Sequence, residues 1–173
     1  ERKKDHKDHA NKKTEHTSIV AKDKNGADSL ELQTVKLVKK YNQDKEDADL
    51  INKIIKKHFL FQSLDEESSD EIIKSMSLAK ASEDTIIFKQ GSTPYYWYII
   101  RKGEIEIYRD NKLEKKIGAG ESYGELALVN NANRMYTVRT VSDCEFWILR
   151  KNEFQKILKY LSQKNAEENL SFL

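Results

Sequence analysis

Glu125 and Arg134 are the two charged side chains whose neighbours best equip them to do chemistry together. They lie in the segment GESYGELALVNNANRMYTV, residues 120–138. Gly124 has no Cβ and lets the backbone turn sharply. Leu126, Ala127 and Leu128 can then start a short helix whose free N–H groups point at an anion. Arg134 adds a planar cation suited to two phosphate oxygens. Glu125 adds a carboxylate that can accept from a ribose hydroxyl. These residue types, in this order, can cradle a small cyclic phosphodiester. The plainer alternative is a strand–turn–helix corner carrying a Glu–Arg ion pair.

Size and composition bound what can surround that cradle. The chain has 173 residues, room for one domain with helical flanks. Charged residues make up 35% and hydrophobic ones 38%, which implies a small core under an ionic surface. With 31 basic against 29 acidic residues the net charge is +2. That balance gives no reason to expect nucleic acid as a partner. Cys144 is the one cysteine, so no internal disulfide can form, and a reducing, cytoplasmic setting is the expectation. No run reaches the roughly 18 apolar residues of a membrane span, and the first residues have no secretory pattern. The chain starts at Glu1 and stops at Leu173 within a helical pattern, so the expectation is a fragment of a longer protein.

Residues 1–30 are mixed charge with almost no apolar content and read as a flexible leader. His6, His9 and His16 lie there at spacings that fit no standard metal-ligand set. Residues 31–78 read as an N-terminal helical segment. Leu50, Ile51, Ile54 and Ile55 fall on one face of a helix beginning near Asp47 or Asp49, and Asp65 or Ser63 can cap a second helix carrying Ile72, Ile73 and Met76. After Ala79 the period changes. TIIFK, YYWYIIR, EIEIYR, LEKKI, MYTVRT and CEFWILR are short β-rich runs between turn residues, with a tight hairpin expected at Asp110-Asn111. Residues 79–150 therefore read as a β-barrel. In residues 151–173 helical spacing returns at Phe154, Ile157, Leu158 and Leu161. A polar break at SQKNAEEN then precedes Leu170, Phe172 and Leu173. The fold class is α+β: an antiparallel, jelly-roll-like β-barrel flanked by N-terminal and C-terminal helices, with a short helix in segment 120–138.

That order, and several separated motifs, resemble the cyclic-nucleotide-binding domain family, in particular the regulatory domains of cGMP- or cAMP-dependent protein kinases. DADLINKIIKKHFLFQSLDEE resembles their helical lead-in, FKQGSTPYYWYIIRKGEIEIY their central strands, and RTVSDCEFWILRKNEFQKIL their last strands and first helix after the barrel. LSQKNAEENLSFL looks like the helix joining one such domain to the next. The resemblance implies that residues 120–138 are the phosphate-binding cassette. Arg134 would take the cyclic phosphate and Glu125 the ribose 2′-hydroxyl, with Gly124, Leu126 and Ala127 supplying backbone and Met135, Tyr136 and Thr137 completing the ligand-binding set. It implies a cyclic nucleotide (cGMP or cAMP) as ligand and no metal or other cofactor. It also implies a regulatory rather than enzymatic fragment, whose partners are a following cyclic-nucleotide-binding domain and a kinase domain in cis or in trans.

The sequence departs from the family pattern twice. Met135 and Tyr136 stand where small residues are typical, and Met135 lacks the hydroxyl of the Thr found there in cGMP-preferring sites; Tyr136 is expected to point outward. Pro94-Tyr95 stands where Gly-Asp is frequent. Three readings follow: a sensor in a cGMP-dependent kinase, a domain of a cAMP-binding regulatory subunit, or a degenerate domain that binds no nucleotide and serves protein interaction. A metal-dependent cupin-type enzyme would need clustered His ligands in the barrel, and His58 is the one histidine outside the leader, expected on a helix surface or core rim.

Overall fold

The computed structural model describes residues 31, 36–37 and 43–171; the leader, Phe172 and Leu173 lie outside them. Helix α1 (Lys45–Lys57) starts at Asp44, whose carboxylate accepts from the Asp47 N–H at 2.8 Å. Helix α2 (Glu66–Ser75) is capped in the same way by Asp65, accepting from Ser68 at 2.8 Å. Their apolar stripes bury Ile51, Ile54, Ile55, Ile72 and Ile73.

The strands form two antiparallel sheets. One runs β1 (Lys36–Leu37), β2 (Ser77–Ala81), β9 (Cys144–Arg150), β4 (Tyr96–Lys102), β7 (Ser122–Tyr123). The other runs β3 (Ile86–Phe88), β8 (Thr137–Thr140), β5 (Glu104–Arg109), β6 (Lys112–Gly118). β5 and β6 are joined through Asp110 and Asn111, both at positive φ (51° and 65°), as a tight hairpin requires.

β4 and β9 are apolar nearly throughout because both their faces are covered. Tyr98, Ile100, Phe146 and Ile148 face the other sheet and join Phe88, Ile105 and Tyr123 in one core. Trp97, Ile99, Trp147 and Leu149 face the helices and join Ile51, Phe61, Ile72 and Phe154 in a second. Cys144 is buried in the first core, consistent with a packing role.

Three local expectations are corrected. Segment 31–78 is not helical throughout: Lys36–Leu37 pairs with Lys80 and Ala79 as an edge strand, and β2 already begins at Ser77. The polar run SQKNAEEN does not interrupt the last helix, since α4 spans Lys151–Ser171 without a break. Five of its eight residues (Gln, Lys, Ala and two Glu) are good helix formers and none is Gly or Pro, so propensity carries the helix where the apolar stripe stops. Tyr136 turns inward, packing on Phe88 with ring centroids 5.7 Å apart. No described helix is long and apolar enough to cross a membrane.

Candidate functional site

The cassette bridges the two sheets. β7 leads through Gly124 into the short helix α3 (Glu125–Val129), and the chain returns through Arg134 into β8. β7 is fixed by Tyr98 opposite Tyr123, and the return is fixed by the Arg134 backbone, which exchanges 2.7 Å bonds with Gly91 and Ser92. Gly124 sits at φ +93°, and a Cβ there would lie 3.0 Å from Arg134 Nη1 and 3.4 Å from the Tyr96 carbonyl oxygen. The glycine serves both the left-handed turn and the close approach of the guanidinium.

Arg134 is 2% exposed. Nη1 donates to the Gly124 carbonyl at 2.6 Å, and Nη2 donates to the Tyr96 carbonyl at 2.7 Å and to Glu31 Oε1 at 2.6 Å. The guanidinium lies over the Phe88 ring, 3.9 Å from its centroid. Nε is buried with no hydrogen-bond partner. Glu31 is 1% exposed and also accepts from the Tyr96 N–H (3.0 Å), the Tyr98 hydroxyl (2.8 Å) and the Tyr95 N–H (3.3 Å). Burial pushes its carboxyl above the usual range, against the pull of Arg134 and of these bonds.

Glu125 does not pair with Arg134. Its Oε1 faces His58 Nε2 at 3.4 Å, and its Oε2 is buried without a partner. Burial raises its carboxyl, but the bond from His58, its own N–H and the charge of Arg134 outweigh that and hold it below the ordinary value. Ala127 is buried, whereas Leu126 and Met135 are exposed. The Tyr136 hydroxyl accepts from the Gly124 N–H at 3.1 Å, and its burial lifts its pKa to about 12. Thr137 Oγ1 accepts from the Gln90 N–H at 2.9 Å.

The structure thus gathers Gly124, Glu125, Arg134 and Tyr136 into one corner, with a donor and an acceptor unspent. A family model described as the cyclic nucleotide-binding domain matches residues 79–160. This segment belongs to that family.

Among proteins similar to this cyclic nucleotide-binding domain is a cGMP-dependent protein kinase of Eimeria tenella, 29% identical over 128 residues, 73% of this chain and 13% of the kinase. A cAMP-dependent protein kinase regulatory subunit of Yarrowia lipolytica is 35% identical over 117 residues, 68% of this chain and 31% of the subunit. The chain therefore spans less than a third of the length of these relatives. Among solved structures, the regulatory domain of Toxoplasma gondii PKA with cAMP superposes with a TM-score of 0.64 at 32% identity. It covers 76% of this chain and 52% of that one.

Two site residues escaped the sequence reading. His58, expected on a helix surface or core rim, lies at that rim, ending α1 with its side chain 8% exposed, and nothing in the sequence marks that it faces Glu125. Glu31 carried no assigned role. The one available signal was Pro94-Tyr95, which leaves the loop beside Arg134 without a carboxylate of its own.

Proposed function

We propose that this domain is a cyclic-nucleotide sensor that regulates a protein kinase, with the cyclic phosphate on Arg134 and the ribose 2′-hydroxyl on Glu125. The observation that carries the reading is the pair of unmet atoms in the cassette: Arg134 Nε, a buried donor, and Glu125 Oε2, a buried acceptor. Buried polar atoms of this kind are costly unless a partner arrives, and a ribose cyclic phosphate supplies an acceptor and a donor together. The residues proposed to form the ligand seat are Gly124, Glu125, Leu126, Ala127, Arg134, Met135, Tyr136 and Thr137.

The signal runs through the second core. Leu128 of α3 shares that core with Phe154 and Leu161 of α4. Ligand that draws the cassette inward changes the packing available to α4 and shifts its population, to the extent that ligand prefers one helix position. The context we favour is the first of tandem domains of a cGMP-dependent kinase, in line with the Eimeria relative. The likeness to the Yarrowia subunit and to the Toxoplasma domain solved with cAMP supports a cAMP-binding subunit as the alternative. One observation favours the third reading, a non-binding interaction module: the Tyr136 hydroxyl already takes the Gly124 N–H.

Parallel calorimetric titrations with cAMP and cGMP test the proposal. Micromolar or tighter binding of one nucleotide is expected and identifies the base. Folded protein giving no heat and no shift in melting temperature at millimolar nucleotide would overturn the sensor in favour of the interaction module.

A further inference from the structure

Glu31 reaches the cassette from far outside it. It precedes Arg134 by 103 positions and Tyr95 by 64, yet its carboxylate is as buried as the centre of either core. Four donors converge on it: the Arg134 guanidinium, the Tyr95 and Tyr96 N–H groups and the Tyr98 hydroxyl. That is a complete seat for an anion, built by the domain and filled by its own chain. The seat lies where the sequence reads Pro94-Tyr95, so the backbone N–H of Tyr95 meets a carboxylate delivered from elsewhere. Lys36–Leu37, on the edge of the first sheet against Lys80 and Ala79, tethers the stretch that carries Glu31. A tethered carboxylate competes at high local concentration.

We propose that Glu31 belongs to the ligand site as a built-in competing anion: its carboxylate on Arg134 holds the unliganded form, and a cyclic phosphate binds by taking over that charge. The inference rests on the cyclic-nucleotide reading of the same site. The charge count gives it its sign. Arg134 contributes one positive charge to a corner that already holds the carboxylates of Glu31 and Glu125. A phosphodiester added with Glu31 in place brings a third negative group against the buried Glu31 carboxylate, where like charges repel strongly. With Glu31 withdrawn, phosphate and guanidinium pair one to one. Linkage makes the effect reciprocal: nucleotide weakens the hold on Glu31 by the factor by which Glu31 weakens nucleotide. Ligand occupancy is then reported at Tyr95, Tyr96 and the β1 edge as well as at α4.

The test titrates the full chain and its Glu31→Gln variant with cAMP and cGMP, and follows hydrogen exchange at the Tyr95 and Tyr96 amides with and without nucleotide. Glutamine keeps the shape and removes the charge. The variant is expected to bind roughly tenfold more tightly, within the usual range of coupling between two sites. In the wild type, nucleotide is expected to speed exchange at both amides. Binding to the variant that is unchanged or weaker, with measurable binding to the wild type, would overturn the competition and leave the cyclic-nucleotide reading standing. Failure of both proteins to bind either nucleotide would overturn both. Should the variant not fold, the wild-type exchange decides alone, and amides that stay protected when nucleotide is bound would overturn the proposal.

Discussion

His58 Nε2 lies 3.4 Å from Glu125 Oε1 while the other ring nitrogen, Nδ1, accepts from the Leu60 N–H at 3.2 Å. An imidazole that accepts at Nδ1 carries its hydrogen on Nε2, so His58 donates to Glu125. The first helix therefore holds the cassette's carboxylate by one oxygen and leaves Oε2 turned to other use. If Oε2 takes the ribose hydroxyl, His58 is a positioning residue for ligand.

Discrimination between cAMP or cGMP and the matching 2′-deoxy nucleotide measures that role. One hydrogen bond to a charged group corresponds to a preference of roughly tenfold or more in the wild type. Glu125→Ala should abolish the preference, and His58→Ala should reduce it to within about threefold. His58 also packs beside Phe61 and Trp97, so its loss lowers stability as well. The ratio of the two affinities separates positioning from stability. A wild-type ratio preserved in His58→Ala would leave the residue with packing alone.

Two glycines of positive φ allow a contrast between site and scaffold. A Cβ on Gly124 would meet the end of Arg134 at 3.0 Å, whereas one on Gly103 would meet the Asp143 carbonyl at 2.5 Å and Cys144 Sγ at 2.6 Å. Both substitutions incur the left-handed penalty of about 1–2 kcal/mol. Gly103→Ala also has to move backbone, so it is expected to lose about 2–4 kcal/mol in denaturant unfolding. Gly124→Ala should lose less stability and more nucleotide affinity, because the guanidinium has to give way. Equal affinity in Gly124→Ala and wild type would show that the present seating of Arg134 is not the one that binds ligand.

Much of this arrangement was legible in the sequence, and the limits have physical reasons. The alternation in EIEIYR, the turn at Asp110-Asn111 and the acidic cap Asp65 are local signals, and each element forms where its own residues ask for it. Glu125 and Arg134 stand out in the sequence as a candidate pair because Gly124 and α3 place them within one short segment. Their actual partners do not. Glu31 and His58 lie far from the cassette in sequence, and nothing local to a lone Glu or His states what it will face after folding. The inward turn of Tyr136 is not local either: strand alternation gives two faces, and which face meets the core depends on Phe88 from another strand. The run SQKNAEEN shows the converse: the apolar stripe stops there and the helix does not.

Tyr136 offers a pH test of the closed corner. Its hydroxyl accepts from the Gly124 N–H, and Tyr136→Phe leaves that N–H unmet at a cost of about 1 kcal/mol near neutral pH. Burial raises the phenol to about 12, above the value of about 10 in an unfolded chain. The folded state thus favours the neutral phenol. Its contribution is fully present below about pH 10 and is lost as pH rises through the folded value. Urea unfolding of both proteins should show wild type ahead near neutrality and the gap closing above about pH 11. A gap independent of pH would mean that Tyr136 is far better solvated than its packing on Phe88 implies.

Met135 decides how the base is read. It is 37% exposed beside the buried Arg134, so its side chain borders the seat without filling the core, and substitution there spares the fold. A thioether cannot bond the guanine amino group, whereas a Thr hydroxyl at the same position can accept from it. One neutral hydrogen bond amounts to about 0.5–1.5 kcal/mol, a few-fold to about tenfold in affinity. Met135→Thr should therefore shift the cGMP-to-cAMP affinity ratio toward cGMP by that factor, measured by calorimetry on both proteins with both nucleotides. A change shared equally by the two ligands would mean that Met135 affects access to the phosphate seat rather than the base. No change in either would move base recognition away from this strand, to residues that cover the ligand from α4 or beyond.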